Sequence, residues 1–307
     1  MINRTSFDQV LKKVEKPARY IGMEKNSISK DLSTVDIKFA FAFPDVYEVG
    51  MSHLGLHILY NLLNNEDYIA CERVFAPWID MEEEMKREGI PLFTLENKEP
   101  INNFDFLGFT LQYEMSYTNI INMLDLGNVP IFSKDRKEED PLVIAGGPCA
   151  YNPEPIADFI DFFVIGEGEE VVLEIMKIYR EFKLKGYKRD EFLKEVSKIE
   201  GVYVPKFYEV YYKEDNTIER MEPEIDGIPR VINKRIIKDI DNSYYPDKII
   251  VHFIETVHDR IPLEIFRGCT RGCRFCQAGM IYRPVREKKV ETLLELAEKL
   301  VNNTGYA

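Results

Sequence analysis

The sequence predicts an α/β protein: a doubly wound parallel sheet, then a hairpin-containing connector, then the truncated start of a β/α barrel. Three observations predict it. Between residues 36 and 184, five short apolar runs are interleaved with four helical patterns. Glycine-bearing turns follow several of those runs. After residue 246 a further apolar run leads into a cysteine-rich loop and one more helix. Such alternation indicates a parallel sheet flanked by helices, with a ligand crevice at the carboxyl ends of the strands.

The elements follow in order. Residues 1–35 read as an N-terminal arm, with an amphipathic helix near 7–14 and a polar stretch ending at Ser33 and Thr34. Residues 36–43 form a strongly apolar strand, followed by a Pro-Asp turn and a helix over 52–64. A second strand spans 71–76 and its helix 78–88. The third strand is 105–111 with helix 117–126. The fourth, 142–145, ends in Gly146-Gly147-Pro148. The fifth, 161–165, leads through Gly166-Glu-Gly-Glu169 into a helix reaching about residue 183. The sheet domain is therefore placed at 36–184.

The connector, 185–245, suits a short helix over 190–198 and a hairpin, with strands at 203–212 and 217–221 around an Asp215-Asn216 turn. Tyr203, Tyr208, Tyr211 and Tyr212 fit sheet packing, with base stacking as the alternative. In the last segment, 246–307, residues 248–254 and 262–266 are strand-like. The second of these delivers Cys269 at its carboxyl end, the face that carries active sites in β/α barrels. Residues 291–303 form an amphipathic helix, with Gly305 as its cap. The 47 residues from 261 to 307 hold about one β/α unit. A barrel needs on the order of 200, so the chain is expected to be a fragment, inactive by itself.

Composition narrows the function. Hydrophobic content of 45% and charged content of 30% are those of an ordinary globular protein. No window reaches the roughly 18 apolar residues of a membrane span, and the start lacks a signal-peptide core. A cytoplasmic location is expected. A net charge of −13 argues against the whole chain being a nucleic-acid binder. No internal repeat is present.

The chemistry sits in Arg267-Gly-Cys-Thr-Arg-Gly-Cys-Arg-Phe-Cys-Gln277. The spacing Cys-x3-Cys-x2-Cys places Cys269, Cys273 and Cys276 on one short loop, with no fourth cysteine nearby. Three thiolates can hold three corners of an iron–sulfur cube and leave one iron open to another ligand. From residue 260 to 290, eight Lys/Arg face two acids, a window of +6 in an acidic chain. Cations make an anionic cluster easier to reduce, so Arg271 and Arg274 are assigned to the cluster and Phe275 to shielding it. Arg286, Lys288 and Lys289 also suit a solvated face or a nucleic-acid contact, with Arg283 and Arg286 its basic anchors. Other metal readings stay open. A Cys3His zinc site could take His252 or His258 as fourth ligand. Cys273 and Cys276 alone fit a redox pair, which leaves Cys269 unexplained. An odd count of 5 cysteines and no secretory signal disfavour disulfides.

At these cysteines the chain resembles the radical S-adenosylmethionine (radical SAM) superfamily, Phe275 matching its aromatic residue before the third cysteine. The resemblance implies a 4Fe–4S cluster whose open iron binds S-adenosylmethionine. It also implies reductive cleavage to a 5′-deoxyadenosyl radical and an electron donor such as flavodoxin or ferredoxin. A second resemblance is to the cobalamin-binding Rossmann-like domain, with its Asp-x-His-x-x-Gly loop and later Gly-Gly. This chain matches at Asp45, Gly50, Gly146 and Gly147, but Tyr47 stands where the cobalt-binding histidine would be. Members of this group differ in whether they bind cobalamin, and the residues leave both open. With Gly166 and Gly168, these positions are the expected cofactor-binding residues of the crevice. His53 and His57, spaced for one helix face, read as packing or surface residues. The segments Glu72-Arg-Val-Phe-Ala-Pro-Trp78, Leu107-Gly-Phe-Thr-Leu-Gln-Tyr-Glu114, Ile144-Ala-Gly-Gly-Pro-Cys-Ala150 and Gly166-Glu-Gly-Glu-Glu170 resemble a group of bacterial radical SAM proteins of this architecture. That likeness implies architecture and leaves the substrate unnamed.

Overall fold

A computed structural model describes residues 4–306. Its centre is a six-stranded sheet in the order β2-β1-β3-β4-β5-β6. The strands are β1 (Ile37–Phe43), β2 (Ile69–Phe75), β3 (Phe106–Thr110), β4 (Leu142–Gly146), β5 (Phe162–Val164) and β6 (Val202–Tyr203). The first five are parallel and β6 runs antiparallel to β5. The 2-1-3-4-5 order is that of a doubly wound α/β sheet, whose strand order reverses between β1 and β3.

Strand chemistry explains the two layers. Successive side chains of a strand point to opposite faces. In β1, Phe39, Phe41 and Phe43 face one side and Ala40 and Ala42 the other. The phenylalanine side packs with Phe106, Ile144 and Phe162 under the helices Leu54–Asn64 and Gly168–Lys185. The alanine side packs with Leu107, Val143 and Phe163 under Ile79–Glu88 and Tyr117–Leu126. Both faces are covered, so the strands read as continuous apolar runs. Each fully buried Phe contributes roughly 1.5–3 kcal/mol.

The flanking segments pack on this body. Arg4–Leu11 is helical, and the Phe7 ring meets Phe93 edge-on at 5.1 Å. The sheet continues past residue 184, because the helix Arg189–Val196 precedes β6. The expected strand over 203–212 divides in two. Pro205 has no N–H to donate, and a 3-10 turn at Pro205–Phe207 separates β6 from β7 (Tyr208–Tyr212). β7 pairs antiparallel with β8 (Ile218–Pro223), which is the expected hairpin.

The last segment departs from the barrel expectation. Residues 248–254 form no strand; the Lys25–Val251 bridge is isolated. A strand needs a neighbour for its backbone groups, and Ile249 and Ile250 are instead buried. Within 262–266 only Phe266 is extended into a strand, β9 (Phe266–Arg267), antiparallel to β10 (Arg286–Glu287). The final helix is Val290–Thr304, and Gly305 caps it in the left-handed region at φ 82°.

Candidate functional site

Two cavities adjoin the cysteine segment. The larger, about 470 Å³, lies on the phenylalanine side of the sheet. Its floor includes Phe39, Phe41, Ile144 and Val164, its walls Ile58, Leu59 and Val172, and its rim Glu264, Phe266, Arg267 and Tyr282. It is the crevice expected at the strand ends.

The structure brings four of the sequence-predicted crevice residues there: Gly146, Gly147, Gly166 and Gly168. Gly147 and Gly166 are forced by the backbone. Their φ angles are 111° and 113°, and a Cβ would meet the Leu111 carbonyl oxygen at 2.8 Å or that of Arg235 at 2.2 Å. Asp45, Tyr47 and Gly50 are absent from the lining. Asp45 Oδ1 accepts from the Val46 N–H at 2.7 Å. Tyr47 is 2% exposed and donates its hydroxyl to Glu24 Oε1 at 2.8 Å. Gly50 is filled against by Phe75, whose ring lies 2.3 Å from where a Cβ would sit. Of the positions assigned to a corrinoid by resemblance, Gly146 and Gly147 line the crevice, while Asp45, Tyr47 and Gly50 lie outside its lining.

Sequence reasoning missed His53, which lines the crevice and caps its helix by accepting the Leu56 N–H at 3.3 Å. Burial lowers its pKa, against a hydrogen bond with Gln112 that raises it. His57 is a core residue. Its Nε2 donates to the Met51 carbonyl at 2.9 Å, since a carbonyl can only accept, and burial pushes its pKa down to about 4. Glu167 and Glu169 were also missed as charged partners. Their only sequence signal was the Gly-Glu-Gly-Glu run after the fifth strand.

The second cavity, about 450 Å³, is bounded by the cysteine loop itself, including Arg271, Cys273, Arg274, Phe275 and Cys276. All three cysteines are free thiols; Cys269 and Cys276 are half-buried and Cys273 exposed. The Cys276 N–H donates to the Cys273 carbonyl at 3.2 Å, closing a turn. Among the described residues, Arg271 and Arg274 make no ion pair, so their charge is available to an anionic guest. Phe275 is 92% exposed. Its ring borders the loop cavity with Arg274 and Cys276.

Arg267 and Arg286 behave differently. Arg267 Nε donates to Glu264 Oε1 at 2.7 Å and its Nη2 to Glu169. Burial opposes its charge, yet these carboxylates raise its pKa. Arg286 grips both oxygens of Glu167 at 2.7 Å. Arg286 is therefore not free for nucleic acid.

Three thiols on one loop are the donor type that an iron–sulfur cluster takes. His252 packs against the rings of Tyr47 and His57, each 6.2 Å away, and His258 Nδ1 lies 3.3 Å from Arg260 Nη2. A cuboidal cluster presents a separate iron to each thiolate, so its ligands need not meet at one point. Three unpaired thiols with unpaired arginines between them suit that guest.

Residues 55–205 match the family described as radical SAM proteins, N-terminal. The chain is 31% identical over 265 residues to an uncharacterized protein of Methanocaldococcus jannaschii, covering 85% of this chain and 45% of the relative. It is 25% identical over 156 residues to the anaerobic magnesium-protoporphyrin IX monomethyl ester cyclase of Cereibacter sphaeroides, covering 48% of this chain and 21% of that protein. The chain spans less than half the length of these curated relatives. No solved structure matches it. No helix among the described residues is long and apolar enough to cross a membrane. The family match and the second relative support a radical SAM protein.

Proposed function

We propose that this chain is the N-terminal part of a radical SAM enzyme whose 4Fe–4S cluster is held by Cys269, Cys273 and Cys276. The observation that carries the reading is three free thiols, Cys269, Cys273 and Cys276, on one short loop with Cys-x3-Cys-x2-Cys spacing. When bound, such a cluster supplies the electron that cleaves the sulfonium of S-adenosylmethionine and yields a 5′-deoxyadenosyl radical. The chain's own residues do the rest. The three thiolates anchor the cluster, and Arg271 and Arg274 offset its negative charge. Phe275 stands at the mouth of the loop cavity, where an incoming ligand would cover it. The crevice roofed by Arg267 and Tyr282 offers an apolar chamber beside the loop. An electron donor such as flavodoxin or ferredoxin would dock on the exposed cysteine side, in the cytoplasm. Phe266–Arg267 and Val290–Thr304 would open the β/α barrel of the whole protein.

Anaerobic reconstitution with iron and sulfide tests the proposal. Wild-type protein should take up about four irons per chain, the content of one cube. Cys269→Ser, Cys273→Ser and Cys276→Ser should each lose most of that iron. Tight zinc with no iron uptake rejects the reading.

A further inference from the structure

The sheet domain and the cysteine segment are joined by a charged cluster that the cluster chemistry does not use. Glu167 and Glu169 leave β5 and flank Gly168, at the start of the helix Gly168–Lys185. Arg267 lies two residues before Cys269, and Arg286 follows the loop on β10. Glu167 holds Arg286 through both oxygens at 2.7 Å, accepts the Ile237 N–H, and sits 3.6 Å from Arg267 Nη1. Glu169 and Glu264 take the rest of the Arg267 guanidinium. All five side chains are only 10–14% exposed. Bidentate arginine–carboxylate pairs add geometric definition as well as energy. Removing one partner from a buried set leaves an uncompensated charge. Arg267 and Gly268 also line the crevice. The same contacts therefore fix the start of the cysteine loop as a wall of that chamber.

We infer that Glu167 is a positioning residue: it clamps the strands on either side of the cysteine loop and so fixes where the cluster faces the crevice. The inference rests on the cluster reading for its consequence but not for its geometry. Other contacts also reach this region: the Tyr151 hydroxyl and Lys234 Nζ donate to the Ile281 carbonyl at 3.1 and 3.0 Å, Lys234 also donates to the Arg283 carbonyl, Arg286 to the Ile237 carbonyl and Lys288 to the Ile240 carbonyl. All bind after the loop, none touches Arg267, and Glu167 is the carboxylate that holds Arg286. A control sits on the same helix. Glu174 pairs with Arg235, which holds the connector rather than the loop.

Amide hydrogen exchange on the 307-residue chain tests this without any metal. Glu167→Gln should speed exchange across 266–288 about tenfold while leaving β1 to β4 unchanged. Glu174→Gln should leave 266–288 unchanged. In reconstituted protein, Glu167→Gln should broaden the electron paramagnetic resonance of the reduced cluster. Unchanged exchange in Glu167→Gln overturns the inference, as does an equal increase throughout the sheet or the same effect from Glu174→Gln. If wild-type protein takes up no iron, the cluster reading fails while the exchange result still decides the clamp.

Discussion

Arg73 is fully buried and answers two carboxylates, Glu24 and Glu96, at 2.8 and 2.7 Å. Burial works to raise the Glu24 pKa, but Arg73 and the Tyr47 hydroxyl bring it down to about 2. Its folded value is thus depressed below the ordinary 4.5. The linked stability is full above that ordinary value and is lost as pH falls through about 2. Arg73→Met should cost about 3–5 kcal/mol at neutral pH, because two buried carboxylates lose their partner. Urea denaturation checks it, and the gap to wild type should narrow in acid. A cost unchanged by acid would mean that packing, not charge, is what Arg73 supplies. None of this was legible in the sequence. Arg73 and Glu24 lie 49 residues apart, and no local spacing joins them. The cysteines were legible because their chemistry is local: three thiols within eight residues need no fold to bring them near. Tyr47 shows the opposite case. A motif match placed it at a cofactor, but its hydroxyl is spent on a core carboxylate.

Helices were the clearest elements to read. The helix Tyr117–Leu126 falls on its expected bounds, and β1 to β5 fall within two residues of theirs, since five buried strands alternate with amphipathic helices. The failures share one cause, pairing partners distant in sequence. Val202–Tyr203 completes the main sheet rather than extending the hairpin, and Ile249 and Ile250 are buried without joining a strand. The turn after β5 gives an element-level prediction. Gly166 and Gly186 both have φ above 90°, but only Gly166 approaches a neighbouring backbone; at Gly186 a Cβ would meet nothing. Gly186→Ala should cost about 1–2 kcal/mol for its conformation alone. Gly166→Ala should cost at least about 1 kcal/mol more, because the Arg235 segment must move. Thermal unfolding of the two variants checks this, and equal losses would show that the close approach is easily relaxed.

The chain as a whole separates charge. A net −13 molecule concentrates basic residues around its cysteines, yet the structure divides them into two sets. Arg267 and Arg286 are consumed by Glu167, Glu169 and Glu264, while Arg271 and Arg274 stay unpaired among the described residues. Composition alone could not make that division, because it depends on which carboxylates the sheet domain presents. It favours a small anionic guest inside the loop over a nucleic acid spread across it. Such a guest, held by three thiolates as proposed, would have one metal corner left for a further ligand. The decisive experiment adds S-adenosylmethionine to the reconstituted, reduced full-length protein and follows the electron paramagnetic resonance of the cluster. A shift in its g-values on addition is expected, and Cys273→Ser should abolish the signal. A signal indifferent to S-adenosylmethionine at saturating concentration would show that this corner is closed and contradict the account.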